Sequence, residues 1–305
     1  MDRLQSMRVF AKVVEQGSFA RAGMALEMSN AVVTRHVADL EQHLGTRLLN
    51  RTTRKLSLTE TGTGYLDRVR QILSDIDDAD AAASATACKP SGTLRIYCHP
   101  NFGQTQLAPL LPRFAAEFPD VVLDVTLADK TVDLVEEGYD LGFFIGVQKF
   151  DGSMIARQLA SSSVIVCASP DYVRRRGAPA HPRDLTEHDC LNHAFEQVRH
   201  TWNMQCGGKE VRVPIVSRMV SNNVEILRQA AIAGMGVVLR STYTLQDDIA
   251  LGRLVRLLPD HCTGKLTVLM VYPSRKLLSA KVRAFVDFMT ATYPDPEADP
   301  WLSAL

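Results

Sequence analysis

The sequence predicts an α + α/β chain of two unlike parts, a small helical end closed by a two-strand hairpin and a larger α/β body. Three observations predict it. Apolar residues recur at helical spacing through residues 3–44 and then give way to two short β-prone runs. Residues 59–87 contain no Pro and read as one long helix. From residue 93 onward, short apolar runs alternate with helical patterns, which implies strand–helix units and largely parallel sheets. A length of 305 residues fits two or three domains at about 100–200 residues each.

Each element has a local reason. Leu4, Met7, Phe10, Val13 and Val14 share one face of a helix over 3–16, and Gly17 ends it. Ser18 is a good N-cap for a second helix, 19–26, with Phe19, Ala22 and Leu26 turned inward. After the turn at Glu27-Met28, Ser29 or Asn30 caps a third helix that runs to Leu44. Val33, Val37, Leu40 and Leu44 form its apolar face, and Gly45 stops it. Strands near Leu48–Asn50 and Leu56–Leu58 flank Arg51-Thr52-Thr53-Arg54-Lys55. In the long helix, Leu66, Val69, Leu73 and Ile76 are spaced 3, 4, 3, a coiled-coil seam for a second copy of the chain. The alternative is that this seam packs on the chain's own body. Cys88 to Gly92 is a hinge by composition.

Beyond the hinge, strands are expected at Leu94–Cys98, Val121–Leu127, Leu141–Ile145, Val164–Ala168, Val211–Val213, Arg218–Val220, Val237–Leu239 and Leu266–Val271. Helices are expected at Leu107–Phe118, Thr131–Glu137, from Pro170 to Arg176, Val224–Ala233 and Lys276–Tyr293. The domains read from this order are 1–58, a linker helix over 59–87, a hinge over 88–92, an α/β domain of two sub-domains over 93–293, and a loose tail over 294–305.

Composition narrows what such a chain does. No apolar run approaches the ~18 residues a membrane helix needs. Met1–Phe10 lacks the apolar stretch of a signal peptide, so a cytoplasmic address is expected. The six cysteines are scattered without a C-x-x-C, and free thiols are expected. The formal net charge is zero, yet residues 1–58 hold nine Lys/Arg against five Asp/Glu, a net +4 that leaves −4 for the rest. A basic end on an acidic body points to a polyanion partner for that end. The sequence has no G-x-S-x-G, phosphate-binding loop, H-E-x-x-H or G-x-G-x-x-G. Its His and Cys do not cluster at metal spacing. No catalysis, cofactor or metal is expected.

The start of the third helix carries the first constellation. Ser29, Asn30, Ala31, Thr34 and Arg35 offer small polar groups, a methyl and one guanidinium. Those are the groups that read base edges when a helix enters the major groove. Arg51, Arg54 and Lys55 on the hairpin suit phosphates or a minor groove. The competing reading is a three-helix bundle with a solvated basic face.

At this point the chain resembles the LysR-type transcriptional regulators. The residues that carry the resemblance are Phe10, Val13-Val14, Gly17-Ser18-Phe19-Ala20-Arg21-Ala22 and Ser29-Asn30-Ala31-Val32-Val33-Thr34-Arg35. They continue through Leu40-Glu41, Leu44-Gly45, Leu48-Leu49, Leu58-Thr59 and Gly62, with a wing that reads Asn-Arg-Thr-Thr-Arg at Asn50–Arg54. The resemblance implies a winged helix–turn–helix, a dimerising linker helix and a two-lobed effector domain like periplasmic binding proteins. It also implies dimers or tetramers on a dyad-related DNA site. Carried over by position, Ser29, Asn30, Ala31, Thr34 and Arg35 face DNA and Arg54 enters the minor groove. Gly23 departs from the Ala frequent in the family, at about 1 kcal/mol of helix propensity.

A second constellation is an effector cleft. In open α/β sheets, ligands sit beyond the carboxyl ends of the strands. His99, Asn101 and Phe102 follow the first strand of the body, Ala128 follows the second, and Phe144 lies at the end of the third. Phe195, Trp202, Asn222 and the Gly236 of Gly234-Met235-Gly236 are the candidates from the other lobe. In the resembling family these positions line the inducer cleft. Alternatives stand beside this reading: His99 as a satisfied core or surface histidine, Phe195 and Trp202 as core, and the glycine pair as a tight turn. Arg240 stands where the family usually has an apolar residue, and is either an anion partner or solvent-facing.

The function expected is that of a DNA-binding regulator controlled by a small molecule, with a lean toward an anion because a helix starts after His99. Double-stranded DNA, a second or further copy of the chain and, indirectly, RNA polymerase are the expected partners, with no membrane. Two alternatives stand: a regulator that senses oxidation through Cys190 and Cys206, and a solute-binding protein that does not bind DNA.

Overall fold

The computed structural model describes residues 2–51, 56–83, 89–130, 132–146, 150, 152–206, 209–261, 263–274 and 278–302. Arg54, Lys55, Cys88 and Cys262 lie outside the described residues, as does the Arg51 side chain.

Three helices open the chain. Helix α1 (Arg3–Gln16) starts where the Asp2 Oδ1 accepts from the Gln5 N–H at 3.0 Å, and ends at Gly17 with φ of 59°. The Ser18 hydroxyl accepts from Arg21 N–H and begins α2 (Phe19–Ala25). The Ser29 hydroxyl accepts from Val32 N–H and begins α3 (Asn30–Leu44), and Gly45 closes it at φ 67°. A left-handed C-cap suits glycine, which has no Cβ to clash. Strands β1 (Leu49–Arg51) and β2 (Leu56–Leu58) pair antiparallel, with Leu49 opposite Leu58. Val9, Phe10, Val13, Ala22, Val33, Val37, Leu40, Leu48 and Leu49 form one buried core. The helical periodicity seen in the sequence is the face that builds it.

Helix α4 (Glu60–Ala83) follows. Leu66 belongs to the same core as Phe10 and Val37, and Val69 is fully buried within the single chain. This corrects the reading of Leu66 and Val69 as a seam between two copies. The first turns of α4 close the small unit, so their apolar groups are consumed there. Leu73 and Ile76 are half-buried and Ile72 is exposed.

The body begins with β3 (Gly92–Cys98), α5 (Pro100–Phe102), which runs into a π turn at Gly103–Leu107, α6 (Leu111–Glu117), β4 (Val121–Leu127) and β5 (Leu141–Ile145). It continues with β6 (Met154–Ala168), α7 (Pro170–Arg176), β7 (Cys190–His193), α8 (Glu196–Arg199), the hairpin β8 (Thr201–Cys206) and β9 (Lys209–Pro214), and β10 (Ser217–Ser221). It closes with α9 (Val224–Ile232), β11 (Val237–Ser241), α10 (Thr242–Ala250), β12 (Val255–Leu257), β13 (Lys265–Pro273) and α11 (Ala280–Thr292). The strand order is β10-β7-β11-β6-β13-β5-β3-β4, with β12 also on β6.

Two lobes share strand β6. Its first part pairs with β13, from Met154 to Ser163, and its last part pairs with β11 and β12, from Val164 to Ala168. One lobe is therefore the β4-β3-β5-β13 half and the other the β10-β7-β11 half. The sheets are mixed rather than largely parallel. β3–β5, β7–β10 and β7–β11 are parallel, while every described pair made by β6 or β13 is antiparallel. Strand β6 carries the chain from the first lobe into the second and β13 runs back beside it, so the two pair antiparallel.

Two other expectations are corrected. Residues 132–139 form turns, not a helix: the Asp133 Oδ1 accepts from Val135 and Glu136 N–H groups at 2.9 Å each, an alternative to helical bonds. Within the expected loose tail, residues 294–302 are docked rather than loose, and 303–305 lie outside the described residues. Asp299 and Trp301 are buried. The Asp299 carboxylate accepts from Ser163 N–H at 2.6 Å and from the Thr242 hydroxyl. The Trp301 Nε1–H donates to Gln106 Oε1 at 2.6 Å, among the rings of Phe102, Tyr243 and Tyr293.

Candidate DNA interface and effector cleft

Helix α3 has two faces. Val33, Val37 and Leu40 are buried in the core, which turns Ser29, Asn30, Ala31 and Arg35 outward, where they are exposed. Thr34 is half-buried, and its hydroxyl donates to the Asn30 carbonyl at 2.8 Å. Thr34 thus presents a methyl and lone pairs rather than a free O–H. The Ser29 hydroxyl is committed as an acceptor to the helix start, and its proton remains available for a phosphate. Free N–H groups in the first turn add to that attraction.

The hairpin is held against α3 by a carboxylate that the sequence reading left without a role. Glu41 Oε1 accepts from the Leu48 N–H at 2.9 Å and the Leu49 N–H at 3.1 Å. Those donors open the strand that carries Asn50 and Arg51. The other end of the hairpin is fixed at Thr59, whose hydroxyl donates to the Arg47 carbonyl at 2.8 Å and accepts from Gly62 N–H at 2.9 Å. A Cβ on Gly62 would sit 2.0 Å from the Leu48 carbonyl oxygen. Gly23 has a similar reason: a Cβ there would lie 2.7 Å from the Met28 carbonyl oxygen, at the turn before α3. Its departure from Ala therefore serves a close approach of backbones, beyond any cost in helix propensity.

The second candidate site lies where the strands of both lobes end. His99 follows β3, and its Nε2 is 3.4 Å from Asp129 Oδ1. The buried Tyr97 hydroxyl lies 2.8 and 2.7 Å from the Ala128 and Lys130 carbonyls, which share its single proton, and this fixes the loop that carries Asp129. Ala128 is half-buried there, and its N–H donates to the Cys98 carbonyl. Asn101 is half-buried and its carbonyl accepts from the Thr105 hydroxyl. Phe144 packs against the tilted ring of Tyr97 and edge-on to the ring of Phe150.

In the other lobe, His193 ends β7. Its Nδ1 accepts from Phe195 N–H at 3.2 Å, which makes Nε2 the donor to the Asn222 carbonyl at 3.1 Å. The exposed Phe195 ring stacks on the imidazole at 4.2 Å. Burial and then the Arg240 guanidinium hold the His193 pKa below its ordinary value, while Asp129 and His99 act on it from the first lobe. Burial likewise lowers the His99 pKa against the pull of Asp129. His99, Asp129 and Arg240 all lie within electrostatic reach of His193.

Three expected cleft residues belong elsewhere. Trp202 is fully buried in the core of its lobe with Tyr172 and Leu185, and its Nε1–H donates to Asn192 Oδ1 at 3.0 Å. Phe102 is buried among Phe143, Tyr243 and Trp301. Gly236 lies at the start of β11, at the end of the strand away from the cleft. A Cβ there would be 2.1 Å from the Asp189 carbonyl oxygen, so the glycine serves packing. His193 was missed because a lone His at a strand end gives no periodic signal. Arg240 is buried rather than solvent-facing. Cys190 is also buried, and desolvation, with Asp189 beside it, pushes its thiol up to about 12, which suppresses the thiolate that oxidation needs. The Cys206 side chain lies outside the described residues. No described helix is long and apolar enough to cross a membrane.

The comparisons with known proteins agree over both parts of the chain. The bacterial regulatory helix-turn-helix protein, lysR family, matches residues 4–63, and the LysR substrate binding domain matches residues 88–294. An HTH-type transcriptional repressor of Pseudomonas aeruginosa is 34% identical over 97% of this chain and 93% of its own length. The HTH-type transcriptional regulator DmlR of Escherichia coli is 35% identical over 94% of this chain and 93% of its own length. Among solved structures, CrgA of Neisseria meningitidis, a LysR-type transcriptional regulator, superposes with a TM-score of 0.63 at 32% identity, covering 95% of this chain and 99% of that one. With the exposed start of α3 and a two-lobed body on a shared strand, these matches identify the chain as a member of the LysR family, a helix–turn–helix transcriptional regulator with an effector-binding domain.

Proposed function

We propose that this regulator reads a dyad-related DNA site with the start of α3 and its wing, and that a small molecule held between the two lobes sets its activity. The observation that carries the first part is the split of α3. A face of Val33, Val37 and Leu40 anchors the helix in the core and leaves Asn30, Ala31 and Arg35 exposed at its first turns. Asn pairs with adenine and Arg with guanine, while the Ala methyl meets a thymine methyl. The basic excess of residues 1–58 supplies salt-dependent attraction to phosphates. Arg51, Arg54 and Lys55 belong to that wing. Two copies, joined through the half-exposed part of α4, present two such helices to two half-sites.

The second part rests on the strand ends. His99, Asn101, Ala128, Phe144, Phe195 and Asn222, together with His193 and Asp129, lie at or just beyond the carboxyl ends of strands of the two lobes. A ligand that prefers one arrangement of the lobes shifts the population of that arrangement. Through it, the ligand alters how bound DNA is presented to RNA polymerase in the cytoplasm. The test is a footprint on the DNA upstream of the protein's own gene, with wild type against the Asn30→Ala/Arg35→Ala variant at two salt concentrations. Protection of a dyad-related site that the variant loses supports the reading. Equal protection by both proteins would show that phosphate attraction alone is at work there.

A further inference from the structure

Arg240 is the most unusual charge among the described residues. It sits near the end of β11, is buried, and donates from Nη1 to its own neighbour, the Leu239 carbonyl, at 2.7 Å. Its Nε and Nη2 are buried and have no hydrogen-bond partner. Other arginines of the same lobe are treated differently. Arg228 and Arg253 both pair with the buried Asp248 carboxylate. Arg240 has no carboxylate within ion-pair distance among the described residues.

The two open donors are not a random pair. Nε–H and Nη2–H form one edge of the planar guanidinium, with two parallel N–H bonds, which matches the two oxygens of a carboxylate. A buried guanidinium without a counter-ion is costly. Desolvation lowers its pKa to about 10, so it stays charged at neutral pH. Across the cleft, His99 Nδ1 is likewise buried and without a partner. With Nε2 turned to Asp129, that nitrogen offers a lone pair to a hydroxyl or amine on a ligand. His193, with both ring nitrogens already engaged, lines the space and interacts electrostatically with both.

We infer that the effector is a small organic acid whose carboxylate binds the Nε/Nη2 edge of Arg240 side-on, with a second, hydrogen-donating group on His99 Nδ1. This rests on the proposal that the interlobe cleft holds the effector, and it adds the ligand's chemical class and the residue that recognises it.

The test uses the full chain and no DNA. Thermal unfolding is recorded with a panel of short aliphatic, hydroxylated and aromatic carboxylates at millimolar concentration, each beside its neutral amide. At least one carboxylate is expected to raise the Tm of wild type, with no shift from its amide. Arg240→Leu is expected to weaken that ligand on the order of 30-fold or more, and Arg240→Lys, which lacks the planar fork, to recover only part of the affinity. Ligand-free Arg240→Leu is expected to unfold at or above the wild-type Tm, because a buried charge without a counter-ion is removed at the loss of one hydrogen bond, to the Leu239 carbonyl. The inference is overturned if no carboxylate acts, if the amide acts as well, if Arg240→Leu responds like wild type, or if that variant is clearly destabilised. Because DNA is absent, failure here leaves the footprint result standing. Loss of the footprint with a carboxylate shift intact would instead remove the DNA-reading assignment alone.

Discussion

Glu41 acts as a tie between two elements, because one carboxylate oxygen takes both backbone donors that open the hairpin. Glu41→Ala strands those two buried N–H groups, at a cost of about 2–3 kcal/mol. Urea unfolding should register that loss, and an unchanged midpoint would contradict it. Gly62 makes a similar point through space: a methyl group 2.0 Å from the Leu48 carbonyl oxygen forces the backbone apart. The two cleft histidines set a pH dependence. Their folded pKa values are lowered, so the unfolded chain takes up protons first, from about pH 6.5. Their contribution to stability is present above that pH and is lost as pH falls through the folded values. The urea midpoint should therefore decline as the pH is lowered below about 6.5, and His193→Gln should flatten part of that slope. An equally steep slope in the variant would show that other groups carry the effect.

At the scale of elements, the sequence was most legible where one element could be judged alone. Helix α3 has caps at both ends and a clean 3.6 period, so its buried and exposed faces follow from spacing. Helix α4 was legible as a helix but not as a surface, because the same apolar spacing serves an internal core and a partner helix equally well. The structure divides it. Leu66→Ala should destabilise the small unit by about 2–5 kcal/mol, as a core deletion does. Ile72→Asp, at an exposed position, should leave Tm within a few degrees and weaken association. Light scattering after size exclusion reads that difference, and an unchanged oligomer would place the contact elsewhere. Strand β6 was legible only over its apolar end, Val164–Ala168. Ser161, Ser162 and Ser163 look like loop, yet they are buried. The Ser161 N–H donates to the Ala298 carbonyl, the Ser162 hydroxyl bonds Thr242 and accepts from Tyr243 N–H, and the Ser163 N–H donates to Asp299, partners far away in sequence.

In the body of the molecule, those serines mark where β6 leaves one lobe and enters the other, and residues from α10 and the C-terminal segment meet there. Asp299 bonds both the crossing strand and Thr242, and Trp301 seals against Gln106 and Phe102. Asp299→Ala should cost about 2–3 kcal/mol by leaving buried donors unsatisfied, and should loosen the lobe junction, which hydrogen exchange at Ser163 can follow. Composition suggested a loose tail because Pro and Asp dominate it; a single Trp and a single Asp with distant partners reverse that. The regulator's choice of DNA site depends on base reading by α3. The most direct test is equilibrium binding of wild type and Arg35→Ala to the protected operator and to a scrambled duplex, over a range of salt. Arg35→Ala is expected to lower the operator-to-scrambled affinity ratio by about tenfold or more, with little change on the scrambled duplex. An equal loss on both duplexes would contradict base reading, because Arg35 would then contact phosphate alone.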